Sequence, residues 1–405
     1  MKRRTFPWML LLLLAAAALI LVGLHNMQGG PLLPPLRPIE EESTLAPVPL
    51  PAQFGRAGQL RYHYGNLGAD EKIAYDKILT RLPGFPESVE IENLNADGLA
   101  RVFSALVLDQ PLLFQISTTQ YRTRSRPETG EVTAFVPDYN MGREQYAARC
   151  EALAKACETF AVPEGDMRAD PALEFGCALA LHDQLIRRCS YSEQYTLPEK
   201  GTAYGAIVEG SAACEGYSRA MQLLLDLQGI PCYIVTGEAS NISGFSGGHA
   251  WNKVQIEGEW YQLDATWNDP VTEDGSHVTS HAYFNITDEE IGKTHELTDP
   301  KNPCTATKAN YFVRKSLEFS SLDRSSEDAL AKALREAMRS GDNAVELRFT
   351  NNSAMEAGLN YLFDKQRVYR ILSAAALGGA EIKTDKVYHA DLETLRVMRI
   401  LPEKE

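Results

Sequence analysis

Gly210-Ser211-Ala212-Ala213-Cys214-Glu215-Gly216-Tyr217-Ser218-Arg219-Ala220, running into Met221-Gln222-Leu223-Leu224-Leu225-Asp226-Leu227-Gln228-Gly229-Ile230-Pro231, is the stretch on which the fold turns. Small, Gly-flanked residues lead into an apolar helix that Gly229 and Pro231 bring to a stop, which places Cys214 in the first helical turn. There the unpaired amide N–H groups and the positive end of the helix dipole favour thiolate over thiol. A lone cysteine is otherwise a small buried hydrophobe, so its meaning depends on a partner base elsewhere in the chain.

Two aromatic-rich strands lie downstream: Gly247-Gly248-His249-Ala250-Trp251-Asn252-Lys253-Val254-Gln255-Ile256 and Glu259-Trp260-Tyr261-Gln262-Leu263-Asp264-Ala265-Thr266-Trp267, joined at Glu257-Gly258. A two-residue turn sets Ile256 opposite Glu259 and Trp251 opposite Asp264, with His249 one diagonal step away on the same face. A three-residue loop without a bulge reverses the parity and separates them. Cys, His and Asp in that order, 35 and 15 residues apart, are the parts of an activated thiol. The imidazole takes the thiol proton, the carboxylate fixes the other ring nitrogen, and the imidazolium protonates the leaving group.

Cys214-Glu215-Gly216-Tyr217, Gly229-Ile230, His249-Ala250-Trp251-Asn252 and Trp260 to Pro270 together resemble the core of the transglutaminase-like superfamily of papain-related thiol enzymes, over about Asp170 to Phe312. The resemblance implies Cys214 as nucleophile, His249 as base and Asp264 as its orienter. It also implies an α+β fold with the nucleophile helix packed on an antiparallel sheet, and no cofactor. Ala203-Tyr204-Gly205 upstream, Tyr283-Phe284-Asn285-Ile286 downstream and the amino-terminal layout are similar to membrane-anchored bacterial cell-surface members. On this reading Tyr204 is a candidate oxyanion donor, Trp251 and Trp267 are candidate cleft walls, and Asn252 is a candidate holder of a nearby loop. The expected substrate is a protein or a cell-wall peptide, resolved by water or by an amine. A module that keeps the fold only to bind such a partner is the alternative.

Outward from this core, residues Phe6 to Leu24 carry no charged side chain and come after Lys2, Arg3 and Arg4. The length suits a membrane span, and the charge bias puts the amino terminus in the cytoplasm and the rest outside. Because the run is longer than a signal-peptide core and its exit lacks a small-x-small site, an uncleaved anchor is expected, with secretion after cleavage the alternative. The Pro-rich stretch from Gly30 to Gln53 reads as an extended spacer. The expected organisation is a stub and anchor over 1–29, a linker over 30–55, an amino-terminal α/β region over 56–165, the catalytic domain over 166–312 and a carboxy-terminal α/β domain over 313–405. Asp170 is expected to cap a helix with Pro171 at its first position, and Ser325-Ser326-Glu327-Asp328 to cap another.

The formal charge of −14 over 405 residues argues against a phosphate-backbone binder, so nucleic acid is not an expected partner. Seven cysteines without a CxxC pair are compatible with one free thiol and up to three disulfides, none of them required. His277 and His281 lack a helix between them and an HExxH pattern, so no metal site is expected, and no dense carboxylate loop suggests calcium.

Overall fold

The computed structural model describes residues 46–404, apart from 168, 195–196, 241–245, 271–278 and 343. The expected stub, the Phe6–Leu24 anchor and the first part of the linker lie outside the described residues. Among the described residues no helix is long and apolar enough to cross a membrane. Residues 45–405 form one compact unit.

Its amino-terminal part is α1 (Ala69–Arg81), β1 (Val89–Leu94), α2 (Ala96–Asp109), β2 (Ile116–Ser125) and β3 (Val132–Tyr139), with an antiparallel sheet in the order β1-β3-β2. Tyr75 and Ile78 of α1 and Leu99, Val102 and Leu106 of α2 recur at helical spacing. They bury against Val89, Ile91, Val132 and Phe135. β2 is an edge strand with an irregular register: Ile116 faces Tyr139 and Tyr121 faces Pro137, so Ser117 to Gln120 bulge opposite Asp138 alone.

The middle of the chain has the expected α+β plan. It contains α3 (Arg143–Cys157), α4 (Ala172–Arg188), β4 (Ser190–Tyr191), α5 (Ala203–Ile207), β5 (Ser211–Ala212) and α6 (Cys214–Gln228), then β6 (Cys232–Ser240), β7 (Ser246–Ile256) and β8 (Glu259–Leu263). The last three form an antiparallel sheet in the order β6-β7-β8, while β4 and β5 pair in parallel. Alternation decides what each sheet face meets. Val254, Ile256, Tyr261 and Leu263 share a core with Tyr217, Ala220, Met221 and Leu224 of α6. Tyr233, Val235, Trp251 and Trp260 face a second core shared with the carboxy-terminal part.

That last part comprises α7 (Asp288–Ile291), α8 (Tyr311–Arg314), β9 (Glu318–Phe319), α9 (Arg324–Ser340), β10 (Val345–Phe349), α10 (Asn352–Leu359), α11 (Val368–Leu377), β11 (Ile382–Leu392) and β12 (Val397–Lys404), with a sheet ordered β11-β12-β10-β9.

Several expectations are corrected. The end of the spacer is not detached: Val48 and Phe54 are buried, Val48 donates its N–H to Pro83 O at 2.9 Å, and Ala52–Arg56 is a 3-10 turn. Apolar side chains at 48 and 54 override the extended bias of the prolines. α3, assigned to the amino-terminal region, buries Tyr146, Cys150 and Leu153 in the middle core. Asp170 stands one position further out, taking the Ala172 N–H at 3.1 Å. The cap of α9 is Asp323, which accepts from Ser326 N at 2.9 Å. All seven cysteines are free, six of them buried, which the sequence reading also allows.

Candidate active site

Three features fix Cys214 at the first position of α6. Gly229, at φ +76°, ends the helix in a left-handed cap with Ile230 N–H returning to Leu225 O at 3.0 Å. At the other end Gly216 lets the first turn lie on the backbone of Lys200 and Thr202, where a Cβ would stand 2.5 Å from Lys200 O. The Ser218 hydroxyl lies 2.8 Å from Cys214 O and 2.9 Å from Ala250 O, tying that turn to the strand that carries His249. As a first-turn residue, Cys214 has an N–H with no intrahelical acceptor.

The hairpin has the two-residue turn. Glu257 and Gly258 both take positive φ (52° and 83°), and Ile256 pairs with Glu259 through to Asn252 with Leu263. From Trp251 back to Ser246, β7 is paired only with β6. His249 Nε2 donates to Asp264 Oδ2 at 2.8 Å, as the diagonal register requires. Cys214 is hydrogen-bonded to the His249 side chain, which leaves Nδ1 as the ring nitrogen that serves the thiol. Burial alone would depress the His249 pKa. The Asp264 charge and hydrogen bond, with those of Cys214, override it and raise the value to about 10.

Asp264 is wholly buried and saturated: Oδ1 accepts from Thr266 N at 2.9 Å and Trp267 N at 3.1 Å, and Oδ2 from two imidazoles. Burial would raise its pKa, but the His249 charge and the hydrogen bonds from both histidines hold it well below the usual carboxylate range. The second imidazole is His295, whose Nε2 lies 3.1 Å from Oδ2 and whose Nδ1 lies 2.9 Å from Thr294 Oγ1. Residues 294–296 add to the edge of β6 through Ser240 N to Thr294 O and Glu296 N to Glu238 O. No sequence signal marks His295, a single histidine 31 residues beyond Asp264.

Cys214 lines a cavity of about 810 Å³ together with Ser117 to Gln120 of the β2 bulge, Asp138 and Gly247-Gly248. The amino-terminal region, which carries no catalytic signature in its sequence, therefore supplies one wall. The other named candidates do not meet at this cavity. Tyr204 packs its ring against Phe114 (5.9 Å) and under the Arg149 guanidinium (4.8 Å). Trp251 is wholly buried, bonded to Gln262 Oε1 at 2.7 Å and stacked 6.1 Å from His249, so it backs the imidazole instead of walling the cleft. Asn252, also wholly buried, donates to Ser218 O at 3.0 Å and so holds α6, not a loop. Trp267 remains partly exposed, 5.5 Å from His249 and 4.5 Å from His295.

A family model for the transglutaminase-like superfamily matches residues 166–265. Residues 166–265 are a transglutaminase-like domain. Kyphoscoliosis peptidase of Homo sapiens is 32% identical over 82 residues, and that of Mus musculus 30%, in each case over 18% of this chain and 12% of the relative. The chain thus matches about an eighth of the length of these curated relatives. Among solved structures, the periplasmic domain of TgpA from Pseudomonas aeruginosa is 17% identical over 34% of this chain and 54% of that one, at a TM-score of 0.18. A candidate cysteine protease from Cytophaga hutchinsonii is 16% identical over 36% and 61%, at 0.24. The transglutaminase-like match supports kinship of residues 166–265 with a family of thiol enzymes.

Two groups of side chains bring metal-type ligand atoms together: His249, Asp264 and His295, and separately His182, Asp183 and His281. Hydrogen bonding accounts for both. In the second group Asn268 Oδ1 accepts from Tyr283 N at 2.8 Å, so its amide N–H₂ faces His182 Nε2 at 3.0 Å. Nε2 must then accept, and Nδ1 carries the proton to Asp183 Oδ1 at 2.9 Å. No lone pair of that ring is left for a cation. His281 belongs to this chain of bonds; its sequence partner His277 lies outside the described residues.

Proposed function

We propose that the protein is a membrane-anchored, extracytoplasmic thiol enzyme that opens amide bonds of proteins or cell-wall peptides through an acyl-Cys214 intermediate. The observation that carries this is the His249 ring, held on one side by Asp264 and reaching Cys214 on the other. The thiolate of Cys214 attacks the amide carbonyl carbon, forming a C–S bond while the carbonyl electron pair moves onto oxygen, beside the Cys214 N–H. Collapse restores the carbonyl as the C–N bond breaks, and His249 gives its proton to the departing amine. A second nucleophile, deprotonated by neutral His249, then releases the acyl group. We assign that role to water, because Cys214 is partly exposed at a cavity of this size. Residues 6–24 are proposed as the anchor on the strength of their uncharged length and the preceding basic cluster.

The test combines Cys214 alkylation by iodoacetamide at neutral pH, in wild type and His249→Ala, with peptide-release assays in the presence and absence of an amine acceptor. Rapid alkylation that collapses in the variant, with peptide hydrolysis, supports the reading. A Cys214 indifferent to His249 and inert toward peptides overturns it in favour of a binding module. Accumulation of amine-coupled product reassigns the second step to transfer.

A further inference from the structure

Arg219 sits on α6 five residues after Cys214, about 7.5 Å further along the helix axis. It is 4% exposed. Nη1 donates to Val107 O, in the last turn of α2, where a cation meets the negative end of a helix dipole. Nε is buried and has no acceptor. Among the described residues no carboxylate forms a salt bridge with the guanidinium, although the charge of Glu215, four residues earlier, favours its charged form. A buried guanidinium is ordinarily matched by a carboxylate that engages its fork of donors, because an unmatched one keeps the full desolvation cost.

The same side chain lines a cavity of about 290 Å³ with the hydroxyl residues Ser104, Thr118, Thr119 and Thr236, the carboxylate of Glu215 and an apolar wall that includes Phe103 and Ile234. Thr118, Thr119 and Glu215 also line the cavity that holds Cys214, so the two spaces adjoin. Glu215, one helical turn before Arg219, is the acidic group whose charge acts on the guanidinium. It turns its carboxylate toward Gly201, placing Oε2 3.0 Å from where a Gly201 Cβ would stand, on the nucleophile's side. What the side pocket offers is therefore a buried cation with an unused Nε donor, bordered by hydroxyls and by Glu215, which makes no salt bridge to it.

We propose that this side pocket is a carboxylate subsite: Arg219 anchors a carboxylate of the substrate one or two residues from the carbonyl that Cys214 attacks. The short spacing follows from the two cavities adjoining through Thr118, Thr119 and Glu215. The carboxylate comes either from an acidic side chain or from a chain terminus. Arg219 selects substrate and takes no part in bond making. The inference rests on the reading of Cys214 as the acyl-accepting atom.

Binding and acylation separate the two claims. In the full-length Cys214→Ala protein, fluorescence anisotropy compares short peptides carrying Glu or Gln at each flanking position, and free-acid or amide carboxy termini. In the wild type, chloromethyl ketones of the same peptides report labelling of Cys214 by mass spectrometry. The subsite predicts an affinity advantage of about tenfold or more for one acid, the size of a charge-assisted hydrogen bond. A Glu advantage assigns an internal acidic residue, and a free-acid advantage assigns a chain end. Arg219→Gln abolishes the difference, but the wild-type pocket reads it without that variant, should the substitution disturb folding. Equal binding of acids and their neutral partners, or no binding by either, overturns the subsite. Discrimination without labelling keeps the subsite and overturns the thiol reading, and labelling without discrimination does the reverse.

Discussion

Among the described residues two clusters are built from the same parts, two buried histidines around an aspartate, and they end differently. At the first, His249 and His295 both reach Asp264 Oδ2, and His249 keeps a nitrogen for Cys214. At the second, Asp183 Oδ1 lies between His182 Nδ1 and His281 Nε2, while His281 Nδ1 meets Glu346 Oε2 at 3.0 Å. Both nitrogens of His281 face carboxylates, so the ring is an imidazolium with no free edge. Burial would lower its pKa, yet the Asp183 and Glu346 charges raise it to about 9. Glu346 is in turn held down to about 2, first by Arg399 against the burial penalty and then by His281. Identical groups thus leave one ring nitrogen to a thiol in the first cluster, and make a structural pin in the second, where every nitrogen is matched. The pin joins α4 of the middle core to β10 and β12 of the carboxy-terminal sheet.

The comparison breaks most visibly under substitution at the first cluster. Cys214→Ala and His249→Ala are expected to lower peptide turnover by ~10³–10⁵-fold, and Asp264→Asn by ~10³–10⁴-fold, with kcat carrying the loss. Steady-state kinetics on one peptide substrate checks all three. Losses below tenfold would place the His249 cluster with the structural one.

At the second cluster the expected loss is stability instead. Glu346→Gln leaves His281 and Arg399 facing a neutral amide inside the fold, and breaking such a buried network costs about 3–5 kcal/mol. Urea unfolding measures it, while Cys214 alkylation under native conditions stays at the wild-type rate.

The same imidazolium gives a pH signature. His281 has a folded-state pKa of about 9, above its ordinary ~6.5, so its contribution is complete below about pH 6.5 and is lost as pH rises through 9. The urea midpoint should therefore fall between pH 7 and 10 in wild type. In His281→Phe that part of the slope should disappear.

These two clusters also mark how far the sequence can be read. Cys214, His249 and Asp264 are legible because a helix start and a two-residue hairpin are local devices: one fixes a dipole, the other fixes parity. The β7-β8 hairpin and the Gly229 helix end are legible for the same reason, whereas β6 is not read from the sequence. His295, Arg219 and the His182–His281–Glu346 chain are not, since each acquires its role from contacts spanning 31 to 112 residues of sequence, which no local period encodes. β11 escapes because an edge strand with mostly exposed residues lacks the apolar alternation that reveals a buried one.

The smallest expected effect lies inside the first cluster and sharpens the comparison most. His295 is wholly buried at its side chain and donates to the same oxygen of Asp264 that holds His249. A second donor spreads the carboxylate's charge and weakens its pull on the His249 proton, keeping the base from becoming too strong to release it. His295→Phe removes that donor. The alkaline limb of the kcat profile should then move upward, as Asp264 concentrates on His249, and kcat should fall about two- to tenfold, the scale of one neutral hydrogen bond. His295→Gln, which retains an N–H at that position, should recover most of the loss. If the limb stays in place while both variants simply unfold earlier in urea, His295 belongs with His182 as packing, and Asp264 tunes the thiol's partner unaided.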